Sequence, residues 1–172
     1  MKTKYFYLVI MLVLFAGTNI VFAEQSEVYI IQVADAISPG TADFIKSGLK
    51  AAEENGAACV IIELDTPGGL AESMRLIVQN ILGSRVPVVV FVYPGGARAA
   101  SAGVMITMAA DVAAMAPGTN IGAAHPVGAG GKDIDGTMSE KVINDMVAQA
   151  KSVAEKRDRN AKWVEDAIRE RV

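Results

Sequence analysis

The chain has 172 residues, enough for one domain with a real core and too few for two comfortable ones. Its formal net charge is -3 with no basic block, so a nucleic-acid-binding role has no electrostatic footprint. One cysteine, Cys59, excludes an internal disulfide, and one histidine, His125, argues against an ordinary zinc site.

The hydrophobic share is 52%, part of it from the first segment. Lys2 and Lys4 precede an uncharged run from Tyr5 to Ala23, closed by Val21-Phe22-Ala23. A charged start, an apolar middle and a small residue before Glu24 predict a signal peptide over 1–23. The run is nearly long enough to cross a bilayer, which makes an uncleaved anchor the alternative. Gly17, Thr18 and Asn19 weaken its far end and favour cleavage. Both readings export the domain from Glu24 onward to the periplasmic or extracytoplasmic face.

Val28 to Ala34 is an apolar run of strand type, broken by Pro39 and Gly40. From Thr41 to Asn55, Phe44, Ile45, Leu49 and Ala52 recur at helical spacing, opposite Lys46, Lys50, Glu53 and Glu54. Ala58 to Leu64 is a second strand, which makes Cys59 a buried small hydrophobe; Asp65 to Gly69 is a turn. Met74, Ile77, Val78, Ile81 and Leu82 define a helix over 71–82, stopped by Gly83, and Val86 to Tyr93 is a third strand. Strands alternating with helices predict an α/β fold of βαβ units around a largely parallel sheet with helices outside.

After the third strand come small residues, Ser101, and an apolar helix over 102–110; Val112 to Ala116 is a short strand. The glycine-rich stretch from Gly118 to Gly136 has no apolar period and reads as a mobile loop. Thr137-Met138-Ser139-Glu140 has capping-box form and opens a long helix. Its stripe is Val142, Ile143, Met146, Val147, Ala150, Val153 and Ala154; a polar break at 157–160 leads to a last helix over 161–171.

Strand, tight turn, serine, helix is a layout that lifts a hydroxyl above a sheet. Ser101 sits among Ala99, Ala100, Ala102 and Gly103, small neighbours that leave the hydroxyl approachable; an ordinary N-cap serine would look the same. Pro67-Gly68-Gly69 exposes successive backbone N–H groups, and Ala102 offers another at a helix start. Together they have the makings of an oxyanion site, although a plain strand-to-helix turn also fits the first. A serine needs a base. Lys141, after the loop and beside the apolar stripe, would serve if desolvated, whereas imidazole at His125 needs less tuning. The residues alone leave that choice open.

Leu64-Asp65-Thr66-Pro67-Gly68-Gly69, Ala100-Ser101-Ala102-Gly103 and Met115-Ala116-Pro117-Gly118-Thr119-Asn120-Ile121-Gly122 together resemble the NfeD-type membrane serine proteases, of the wider ClpP/crotonase-fold group. The resemblance covers Val28 to Val172 and implies a ClpP/crotonase-like fold of repeated ββα/βαβ units. It implies a Ser–Lys dyad endopeptidase with Ser101 as nucleophile, Lys141 as base, and an oxyanion site at Gly68 or Gly69 with Ala102. Lys151 matches a family position that is not catalytic. ClpP uses a Ser–His–Asp triad instead, which makes Ser101–His125–Glu170 the rival assignment.

The same resemblance implies hydrophobic substrate segments, stomatin-like membrane partners, a homodimer, and neither cofactor nor metal. Family domains continue into another helix and strand, membrane helices and a small β-barrel, so the protease domain over 24–172 is expected to be incomplete at its C-terminus. Two other functions share the fold. One is a non-catalytic scaffold holding a membrane partner in the groove; the other is a crotonase-like thioester enzyme, which an exported chain without acyl-CoA disfavours.

Overall fold

The computed structural model describes residues 27–128 and 136–170. The expected signal segment over 1–23 and part of the glycine-rich loop lie outside the described residues. Four parallel strands make the main sheet in the order β1 (Val28–Val33), β2 (Cys59–Leu64), β3 (Val88–Val92), β5 (Val112–Met115). Between them run α1 (Pro39–Glu54), α2 (Ala71–Gly83), the short strand β4 (Arg98–Ala100) and α3 (Ala102–Ala109). The strands are added in one direction, so right-handed crossovers put α1, α2 and α3 on the same face.

That face is the core. Ile31, Val33, Val60, Ile62, Leu64, Val88, Val90 and Val92 are buried against Ile45 and Leu49 of α1, Ile77 and Ile81 of α2, and all eight residues of α3. The opposite face, with Ile30, Ile61, Val89 and Phe91, stays exposed or half-exposed, and Cys59 on it is only half-buried, not the buried residue expected. Phe44 also departs from expectation. It stands 55% exposed, one step off the buried Ile45–Leu49–Ala52 stripe of α1. Pro39 and Gly40 do not break the chain; they are the first turn of α1, because Ser38 caps it by accepting from the Thr41 N–H at 3.2 Å.

The sequence pattern missed a second, two-stranded parallel sheet. It pairs β4 with β6 (Asn120–Gly122), inside the stretch expected to be a loop. Each strand has only three residues, too few to show a period. Thr66 extends this sheet: its N–H donates to the Arg98 carbonyl at 2.7 Å, and its carbonyl accepts from the Ala100 N–H at 3.1 Å.

The last layer is α4 (Gly136–Lys156) and α5 (Ala161–Arg169). α4 begins one residue before the expected cap at Thr137 and buries Val147, Ala150, Val153 and Ala154, while Ile143 and Met146 are partly buried. Beyond it, Arg157 Nε donates to the Ala109 carbonyl at 2.7 Å, and Arg159 Nη1 donates to Met108 and Ala110 at 2.6 and 2.8 Å. Two arginines thereby satisfy carbonyls that the C-terminus of α3 leaves without intrahelical donors. Burial holds the Arg159 guanidinium below its ordinary value, with the Arg157 charge acting in the same direction.

Candidate active site

Ser101 joins the small sheet to α3. Its N–H donates to the Gly122 carbonyl of β6 at 3.1 Å, and its carbonyl accepts from the Val104 N–H at 3.0 Å. These two bonds hold the backbone at φ 53° and ψ -113°, a conformation a non-glycine residue adopts at a cost of about 1–3 kcal/mol. Ser101 occupies the N-cap position, yet its side chain makes no capping hydrogen bond. That removes the ordinary reading of an N-cap serine and leaves Oγ available.

Gly68 explains how the elbow is held. A Cβ on Gly68, at φ +110°, would lie 2.6 Å from the Ser101 Cβ and 3.0 Å from its Oγ. Only glycine fits beneath the serine. Its N–H is engaged at 3.1 Å with Thr66 Oγ1, a fully buried hydroxyl, and its carbonyl accepts from the Ile37 N–H at 2.8 Å. The next residue differs. Gly69 lies against Ile37, where a Cβ would come 2.1 Å from the Ile37 carbonyl oxygen, and its N–H has no acceptor among the described residues. The Ala102 N–H, at the first position of α3, has none either. Of the glycine pair, Gly69 is therefore the one with a donor to offer. A sequence cannot make that distinction, because it depends on where the Thr66 hydroxyl points.

Ser101, Ala102 and Gly69 open onto one cleft of about 380 Å³. Its other walls are Leu70 and Met74 at the start of α2, Pro126 to Gly128, and Met146 of α4. Sequence reading put Met74 and Met146 on core stripes and gave them no role in a site. Helical spacing records which residues face inward, not which of those border a cavity.

The candidate bases are placed differently. Lys141 is exposed on α4, five residues before Met146, and does not line the cleft, so the desolvated amine expected for it is not present in the chain by itself. His125 is half-buried beside the cleft-lining Pro126. Its Nδ1 lies 2.9 Å from the Ile168 carbonyl oxygen and, facing an acceptor, donates to it. Glu170 is exposed at the C-cap of α5, and no bond joins it to His125 among the described residues. The acid–imidazole contact of the triad assignment is thus replaced by a backbone carbonyl. With the Ala124 N–H donating to the Ala167 carbonyl at 3.1 Å, His125 ties this segment to the end of α5. Lys151, the other family lysine, pairs with Glu165 at 3.1 Å.

A parallel sheet with a serine elbow over a backbone-donor pair defines a ClpP-type domain. ClpP1 of Listeria monocytogenes matches it with a TM-score of 0.62 at 20% identity, over 80% of this chain and 77% of that one. Residues 27–171 match the family described as NfeD1b, N-terminal domain, and the chain belongs to that family. It is 43% identical over 144 residues to the membrane-bound protease PH1510 of Pyrococcus horikoshii, covering 82% of this chain and 32% of that protein. It is 34% identical over 141 residues to the membrane protein NfeD1b of Bacillus subtilis, covering 82% and 31%. The chain thus spans about a third of the length of these curated relatives.

Two solved structures of the 1510-N membrane-bound stomatin-specific protease are similar. A serine-to-alanine mutant matches at TM-score 0.79 and 40% identity, over 86% of this chain and 72% of that one. A lysine-to-alanine mutant in complex with a substrate peptide matches at 0.81 and 39%, over 87% and 68%.

Proposed function

We propose that this domain is a serine endopeptidase with a Ser101–Lys141 dyad. The observation that carries the reading is the strained, uncapped Ser101 beside two unengaged backbone N–H groups in an apolar-walled cleft. Neutral Lys141 takes the Ser101 proton and the alkoxide attacks a peptide carbonyl. The Gly69 and Ala102 N–H groups hold the resulting oxyanion, each worth about 3 kcal/mol in the transition state. Lys141 returns the proton to the leaving amine, and water then hydrolyses the acyl-enzyme. Because Lys141 is exposed, the bound peptide supplies the burial that favours its neutral form.

The cleft walls suit an apolar side chain, and similarity to a stomatin-specific protease supports hydrophobic segments of stomatin-like membrane proteins as substrates. The relatives' names support membrane association. Among the described residues no helix is long and apolar enough to cross a membrane. An exported domain over 24–172 that works as a homodimer, followed by family membrane segments, completes the proposal.

Labelling with a serine-reactive fluorophosphonate, followed by mass spectrometry, tests it. An adduct on Ser101, lost in Lys141→Ala and kept in His125→Ala, is expected. The reverse pattern would establish the triad, and no adduct would favour the scaffold.

A further inference from the structure

Asp145 follows Lys141 by four residues on α4, the spacing at which two side chains on a helix meet. A carboxylate there would hold the amine as an ammonium ion, the form that cannot accept the serine proton. In the structure the Asp145 carboxylate is instead ion-paired with the Arg75 guanidinium of α2. This pair joins α2 to α4, the two helices whose Met74 and Met146 line the cavity that holds Ser101.

We propose that Arg75 is a positioning residue for the base, drawing the Asp145 carboxylate onto α2 and away from the Lys141 amine. The inference rests on Lys141 being the base. Arginine suits the role because its charge never titrates in the working range and its planar fork grips one carboxylate directionally.

The other charged groups around α4 do not replace it. α3 carries no titratable side chain. On α5, Glu165 is held by Lys151 and Arg169, Asp166 by Lys162, and Arg169 also donates to Asn144 at 3.1 Å. Glu170, Glu72 at the start of α2 and Glu140 beside Lys141 are exposed or half-exposed, and His125 is turned to the Ile168 carbonyl. Asp133 and Asp135 lie outside the described residues.

The test reads Lys141 directly. The Lys141 side chain is titrated by NMR in the intact chain, in wild type, Arg75→Ala, Asp145→Asn and the double variant. Arg75→Ala should raise the Lys141 midpoint by about 0.2–0.4 unit, and Arg75→Ala with Asp145→Asn should return it. The acidic limb of peptide cleavage should move with it, and Arg75→Lys should restore most of the effect. An unchanged Lys141 midpoint in Arg75→Ala, or a shift that survives Asp145→Asn, overturns the proposal. Cleavage that persists in Lys141→Ala overturns the dyad reading on which it rests, a result the titration alone would not produce.

Discussion

Ser101, which lines the cleft, and Lys141, which does not, sit in very different settings. Ser101 has its N–H and carbonyl engaged, Gly68 packed against its Cβ, and a fully buried helix behind it whose far end is held by Arg157 and Arg159. Lys141 is exposed on a helix that meets its neighbours partly through surface ion pairs, Arg75–Asp145 and Lys151–Glu165. Exposed pairs are worth about 0–1 kcal/mol each, whereas a strained elbow survives only where surrounding structure over-determines it. If the proposed dyad holds, the contrast means a preorganised nucleophile and a base that substrate must complete.

Removing the Ser101 hydroxyl should produce the largest effect. Ser101→Ala is expected to lower peptide cleavage by about 10⁴-fold or more with an unchanged thermal midpoint, read by a fluorogenic apolar peptide and by calorimetry. Lys141→Ala should cost about 10³-fold in the same assay and less than about 0.5 kcal/mol of stability, since an exposed side chain is lost. His125→Ala should reverse that balance. It gives up the bond to Ile168, about 1 kcal/mol in a denaturant titration, and keeps most of the activity. A dead, stable His125→Ala would erase the contrast.

Gly68→Ala sharpens the same comparison, because it acts on the serine side alone and removes no reacting group. The new methyl would sit inside contact distance of the Ser101 Cβ at a φ of +110° that disfavours any side chain. About 1–3 kcal/mol of destabilisation and a cleavage loss of about 10²-fold are expected, with Lys141 unaffected.

The smallest effect is one of pH on the lysine side. Hydrogen bonds from Arg169, then Lys151, hold the Glu165 carboxyl below its ordinary value of 4.5. A depressed carboxylate contributes stability above its unfolded value, lost as pH falls through the lower folded one. Amide exchange in α4 and α5 should therefore quicken below about pH 4.5 before it does in the β1–β3 sheet, and Glu165→Gln should remove that difference.

Much of this was legible in the residues. The runs that became β1, β2 and β3 are β-branched and apolar because the main sheet is buried on its helix face, and the α2 stripe of Met74, Ile77, Val78 and Ile81 reads at helical spacing. Pro39 and Gly40 misled because a helix start and a chain break share the same residues until the Ser38 cap is seen. Arg98–Ala100 and Asn120–Gly122 carry no pattern, since they are strands only by virtue of each other and of Thr66.

The α/β alternation, the small residues around Ser101 and the glycine pair upstream are all written in the linear order of residues. Local propensity and hydrophobic period encode those within a few turns of chain. Tertiary structure alone decided that the Ser101 hydroxyl caps nothing, that Gly69 rather than Gly68 keeps an unengaged N–H, and that His125 answers to Ile168 instead of Glu170. Each of these turns on a hydrogen bond, present or missing, between segments far apart in the chain, and a linear pattern carries no record of where such partners meet.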